Sequence, residues 1–227
     1  MIRISSPDRC SVNPQYILVV GLVVIMGWFA FGVLFNLRRG DSLLKWMQPG
    51  LARIGARTTF RWLGTSVAEL GILQAKNPFR RLDTLLVLAP RDVVWMAALA
   101  ALQGRRDTLI FRAVLSTPPL IDLELADPKT WTGRTALKQA SQQNWEGQDY
   151  QGLQLMAPRG YLGMAVSTLD RLGAPLGKLS PRYGRLSLRR SAPNLELHLP
   201  FPSPRTLDAV EYFEALRELA RAVGQRD

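Results

Sequence analysis

Cysteine and histidine are almost missing from this chain: Cys10 and His198 are the single examples in 227 residues. One cysteine cannot close an intramolecular disulfide, which suits a reducing compartment for the bulk of the chain. One cysteine and one histidine far apart in sequence cannot build a zinc site, so no metal is expected. Phosphate-binding signatures are missing too. GRRDT at 104–108 and GAPLGK at 173–178 contain glycine and basic residues but match neither a P-loop nor a dinucleotide fingerprint. No G-x-S-x-G elbow is present. For His198 to act as a general base it would need an orienting carboxylate and a nucleophile. Glu196 stands two residues away, as ordinary strand alternation places it. Asp122 and Glu124 share one expected strand face and read as solvated carboxylates rather than as a cation site. No catalytic, cofactor-binding or metal-binding residues are expected, and no enzyme.

Charge is absent from one stretch. Residues 16–35, YILVVGLVVIMGWFAFGVLF, hold no charged residue. Twenty helical residues span about 30 Å, the thickness of a bilayer's hydrocarbon core. The run exceeds a signal-peptide core, no small-x-small site follows it, and Arg38 and Arg39 close it. A transmembrane helix of the signal-anchor type is therefore expected over residues 16–37, preceded by a disordered tail over residues 1–15. Gly21, Gly27 and Gly32 make no G-x-x-x-G pair, so that motif gives no reason to expect helix dimerisation.

Charge elsewhere is uneven. The net +11 is concentrated in residues 38–81, with nine Lys or Arg against Asp41 and Glu69, and in residues 159–190, with seven against Asp170. Basic residues crowd the C-terminal side of the apolar run, whereas Arg3 and Arg9 with Asp8 precede it. The positive-inside rule then predicts a single-pass membrane protein with its N-terminus outside and its C-terminal domain cytoplasmic.

Residues 38–76 read as a basic amphipathic juxtamembrane segment. Leu43, Met47, Leu51 and Ile54 repeat at helical spacing, and Pro49-Gly50 is expected to divide the segment into two pieces. Arg38, Arg39, Lys45, Arg53, Arg57 and Arg61, with Trp46 and Trp62, are the candidate contacts to an anionic lipid surface, since tryptophan favours headgroup boundaries and basic residues are attracted to such a surface. An ordinary helix packed on the domain, with a solvated basic face, fits the same pattern. The second basic zone carries Tyr161 and Tyr183. Basic and aromatic residues together can bind nucleic acid, but no nucleic-acid motif accompanies them.

Residues 77–227 read as one α+β domain with a mixed, largely antiparallel sheet and packed helices. Strands are expected over 82–89, 108–115 and 120–125, the last two as a hairpin placing Arg112 near Asp122 and Glu124. Helices are expected from Pro90 to about Gln103, over 132–143 with Thr132 as cap, over 161–172 until Gly173 and Pro175, and over 206–223. A short strand is expected over 151–156, a loop over 173–184, and a second hairpin from 185–190 to 195–199.

The stretches LLVLAPRDVVWMAALAALQGRRDTLIFRAVL at 85–115 and LELHLPFPSP at 195–204, and the order of elements over 77–223, resemble the calumin family. Those single-pass proteins of the endoplasmic reticulum membrane assist insertion of multipass membrane proteins. The resemblance lies in packing patterns, and the long charged C-terminal tail of that family is missing, so no site residues follow from it. Three functions remain open. The first is a non-catalytic membrane-anchored accessory protein whose cytosolic domain binds a protein partner at the anionic surface. The second is a biogenesis factor contacting a ribosome or an insertase. The third is an enzyme with an unrecognised site.

Overall fold

The computed structural model describes residues 13–204 and 206–225. The tail expected over 1–15 lies mostly outside the described residues. Its last three residues already start a helix, because Asn13 accepts a hydrogen bond from the Gln15 amide at 3.1 Å and Pro14 needs no amide partner in a first turn.

Helix α1 runs unbroken from Pro14 to Ile54. Residues 14–31 are exposed on every side. Beyond them Gly32, Asn36, Gly40, Leu43, Met47, Gly50, Leu51 and Ile54 are buried, a stripe at spacings of three and four. The expected break at Pro49-Gly50 does not occur. Pro49 sits on the exposed side of the helix, where the carbonyl it leaves unbonded can be hydrated, and burial of the stripe outweighs the lost bond. The rest of the expected juxtamembrane segment is sheet, namely β1 (Gly55–Trp62) and β2 (Val67–Ala75). No boundary falls at residue 77, because β3 (Phe79–Val87) pairs directly with β2.

The remaining elements are α2 (Val94–Leu102), β4 (Thr108–Leu115), β5 (Leu123–Ala126), α3 (Trp131–Gln142), β6 (Glu146–Tyr150), β7 (Leu153–Ala157), α4 (Leu162–Leu179), β8 (Arg185–Leu188), β9 (Leu195–Pro200) and α5 (Ala209–Gly224). The nine strands form one sheet in the order β1-β2-β3-β4-β9-β8-β5-β7-β6, and every neighbouring pair is antiparallel. The domain is thus α+β, as expected.

Alternation sorts the side chains between the two faces of the sheet. Leu70, Leu82, Phe111, Leu197, Leu186 and Leu125 look toward α1, α5 and α4, and form the main core. Phe111 meets Phe213 of α5 edge to face, with ring centroids 6.2 Å apart. Tyr212 beside it is buried, and its hydroxyl has no hydrogen-bond partner among the described residues. Burial holds the phenol neutral and raises its pKa. Tyr212→Phe is therefore expected to leave stability unchanged or raise it by up to about 1 kcal/mol. Chemical unfolding of the full chain in detergent reads this, and a clear loss would mean that the hydroxyl has a partner.

Several expected elements differ. β4 does not pair with β5, but with β9, 80 residues later in the chain. β5 lies between β7 and β8. Arg112 faces Glu196 rather than Asp122 or Glu124. Thr130, not Thr132, caps α3, with Oγ1 accepting from the Gly133 amide at 3.0 Å. α4 continues through Gly173 and Pro175 to Leu179, because Leu172, Leu176 and Leu179 extend its buried stripe. The loop expected over 173–184 is thereby mostly helix. The hairpin of β8 and β9 and the final helix stand where expected.

Candidate functional site

The exposed half of α1 enters the domain through a polar node. At Gly32 an added Cβ would lie 2.3 Å from the carbonyl oxygen of Arg91, so only glycine lets the two backbones meet. One turn later Asn36 is fully buried. Its Nδ2 donates to the carbonyl oxygens of Thr65 (3.4 Å) and Ala89 (3.3 Å), and its Oδ1 accepts from Arg91 at 3.0 Å. One side chain thus ties α1 to both the β1–β2 turn and the segment after β3. Asp107 completes the node. It accepts from Arg91 through both carboxylate oxygens at 3.0 and 3.1 Å, from the Ala89 amide at 2.9 Å, and from Arg39. Burial alone would raise the Asp107 pKa. The Arg91 and Ala89 hydrogen bonds, with the charges of Arg91 and Arg39, outweigh it and hold the carboxyl below its ordinary range. Arg91 also lies over the Phe35 ring, 5.2 Å from its centroid. The direction in which the apolar helix leaves the domain is fixed by these contacts.

The eight residues expected at a lipid surface are not brought together. Arg38 is exposed beside the node, and Arg39 belongs to it. Trp62 packs over Gly40 at the same end of the sheet. Arg61 pairs with Glu69 at 2.6 Å. Lys45 is exposed, but Trp46 turns inward. Its indole N–H donates to the Leu207 carbonyl at 2.9 Å, and its ring meets Tyr212. Arg53 lies 17 residues beyond Asn36, roughly 25 Å along the helix axis. Arg57, in β1, is at that far end too, because Lys76 at the end of the β1–β2 hairpin bonds the Ile54 carbonyl. Arg38 thus stands at one end of the buried half of α1, and Arg53 and Arg57 at the other.

Arg105, Arg106 and α2 belong to the node's end of the domain and were not among the expected site residues. The signal was available in VWMAALAAL, which has no polar residue and hence no wet face.

A second polar cluster lies on the other face of the sheet. Glu124, expected to be solvated, is fully buried and held by Arg185 at 2.6 Å and Arg189 at 2.7 Å. The reason is that α3 packs over β5 and β7, and the Arg189 guanidinium stacks on Trp145 just beyond it, 4.4 Å from the ring centroid. Glu196 joins Arg185 at 2.7 Å, Arg112 at 3.1 Å and His198 Nε2 at 2.8 Å. Asp122 accepts from the Arg190 amide at 2.6 Å. Burial would raise the Glu196 pKa, but the His198 hydrogen bond and the charges of Arg185, His198 and Arg112 lower it from 4.5 to about 2. A carboxylate held this way is a poor base, since it keeps its charge and gives little driving force to accept a proton. Its stability contribution is fully present above pH 4.5 and is lost as pH falls toward about 2. Glu196→Gln should flatten that part of the acid unfolding profile. An unchanged profile would exclude Glu196 as its source.

Two surface clefts, of about 300 and 430 Å³, lie elsewhere, the first beside Pro78 and Arg221 and the second beside Lys178 and Glu211. Compared with models of known protein families and with curated proteins, the chain finds no match.

Proposed function

We propose that this chain is a non-catalytic, single-pass membrane-anchored accessory protein whose folded domain binds a protein partner at an anionic membrane surface. The observation that carries the reading is the division of α1. Residues 14–31 are exposed and, apart from Gln15, carry no strongly polar side chain, whereas the buried half is built into the domain core. An exposed apolar helix of that length matches the thickness of a bilayer core. The same helix therefore acts as anchor and as part of the domain, and the node at Asn36, Arg91 and Asp107 transmits the anchor's orientation. The basic residues at the helix-entry end, Arg38, Arg39, Arg91, Arg105 and Arg106, support the orientation with the N-terminus outside and the domain cytoplasmic. Of the lipid-surface candidates, Arg38, Arg39 and Trp62 keep that role in this reading. Arg53 and Arg57 do not.

The test is made on native membranes. The full chain should resist extraction at alkaline pH, and its domain should be cleaved only by protease on the cytoplasmic side. Crosslinking followed by mass spectrometry should then recover one stoichiometric membrane-protein partner. Recovery of ribosomal or insertase subunits would favour the biogenesis reading that the calumin resemblance implies. Release at alkaline pH, or turnover of substrates by the purified chain, would overturn the proposal.

A further inference from the structure

A helix that is apolar on every side is normally buried. α2 is apolar throughout, yet among its described residues only Ala100 is buried. Trp95 is 71 %, Leu99 54 % and Leu102 87 % exposed, and Val94 and Met96 are exposed with them. They form a contiguous apolar surface of the kind a water-facing domain rarely leaves open.

The backbone sets the level of this helix along α1. Arg91 and Asp92 lie against Gly32, with their backbone atoms 2.3 and 2.6 Å from where its Cβ would be. Gly32 stands three residues inside the end of the uncharged run at Phe35, about 5 Å along the axis. α2 starts two residues after Asp92 and packs on α1. At its far end the Gly104 amide returns to Ala101 and the Arg105 amide to Ala100, at 3.0 and 2.9 Å. Two residues later Asp107 is bound to the Ala89 amide. Two extended residues reach at most about 7 Å, so α2 stays close to the end of the sheet. It lies level with the last turn of the apolar half of α1. Exposed Arg105 and Arg106 follow it, and Arg105 lies over the exposed ring of Trp131, 5.6 Å from the centroid.

We infer that α2 is a second membrane contact, lying in the boundary of the bilayer with its apolar surface among acyl chains and Arg105 and Arg106 on anionic headgroups. The inference rests on the reading of α1 as a membrane span. Continuity decides the occupant. The exposed surface of α2 adjoins that of α1 at the depth where hydrocarbon meets headgroups, and the charges beside it are complementary to anionic lipid. Nine residues reach roughly 13 Å, too short to cross a core of about 30 Å, so α2 lies along the boundary. With two contacts the domain is held against the surface in one rotational setting, and the face it offers to a partner is fixed.

The test uses the full chain with Cys10→Ser and one new cysteine at a time, Val23→Cys, Leu99→Cys or Arg53→Cys. Each carries an environment-sensitive fluorophore in vesicles containing phosphatidylglycerol and spin-labelled lipids. The label at position 99 is expected to be blue-shifted and quenched most by shallow spin labels, the label at 23 by deep ones, and the label at 53 by neither. Arg105→Glu with Arg106→Glu should weaken quenching at 99 in anionic vesicles and leave it unchanged in pure phosphatidylcholine. Quenching at 23 with position 99 open to aqueous iodide would overturn this inference and leave the anchor standing. Absence of quenching at both 23 and 99 would remove the anchor and this inference with it. Shielding of 99 from both lipid and water would mean a protein contact and also overturn it.

Discussion

Asp107→Ala is expected to destabilise the domain by about 2–4 kcal/mol, because it breaks a buried charge cluster from its centre. The Asp107 side chain is 3 % exposed and answers two arginines and one amide. Without it the Ala89 amide loses its acceptor and the guanidiniums of Arg39 and Arg91 lose their counter-charge. Those arginines are 46 % and 32 % exposed, so water can recover part of the loss. This places the figure below the full cost of a sealed ion pair. Asp107→Asn keeps one acceptor for Ala89 and should cost less. Adding Arg91→Met to Asp107→Ala should cost less than the sum of the two single changes, since the pair shares one interaction. Denaturant unfolding of the full chain in detergent measures each step. Strictly additive losses would mean that Asp107 and Arg91 act independently, and Asp107 would then be tied to α1 through Arg39 alone. Because the Asp107 pKa lies below its ordinary value, its contribution stands at neutral pH and is lost on acidification.

The parts of this fold that were legible are those in which burial leaves a period. The stripe through Leu43, Met47, Leu51 and Ile54 was visible, as was the alternation of Leu195, Leu197 and Leu199 with Glu196 and His198. The final helix carries both a stripe and a wet face. β1 and β6 left no such mark. They are the two edges of the sheet, largely exposed, with sequences GARTTFRW and EGQDY. An edge strand needs little burial, and charge on it discourages further pairing, so its residues resemble those of a loop. The partner of β4 was hidden for another reason. Neighbouring strands usually pair in chain order, and Asp122 with Glu124 offered Arg112 as plausible a match as Glu196. Choosing between them takes a contact across 84 residues. The site was legible only where it is local. Arg38 and Arg39 follow the apolar run directly, whereas Asp107 sits in what reads as an ordinary turn and is defined by Arg39, 68 residues earlier.

Gly50→Val is expected to cost about 3 kcal/mol or more by forcing α1 away from α5. At Gly50 an added Cβ would lie 2.3 Å from the Phe213 ring, 2.4 Å from the Ala209 carbonyl oxygen and 2.9 Å from its carbon. The ring belongs to a fully buried side chain, and the carbonyl belongs to the first turn of α5, so no exposed rotamer can absorb the clash. Intrinsic helix preference runs the other way, but valine gains only a few tenths of a kcal/mol over glycine. Gly21 and Gly27 in the exposed half of α1 are the controls, since a Cβ there meets nothing within 4 Å. Gly21→Val and Gly27→Val should leave the unfolding midpoint of the domain unchanged while keeping the helix apolar. Gly50→Val should lower that midpoint with the exposed half of α1 untouched. Equal midpoints for Gly50→Val and the parent would mean that the α1–α5 contact is not part of the cooperative core. A midpoint lowered at Gly50 alone would mean that the part of α1 packed on α5 is a folding element of the domain. Anchor and domain could not then be exchanged separately, and cutting the chain at residue 55 to obtain a soluble domain would uncover Tyr212 and Phe213, which Trp46 and Gly50 contact.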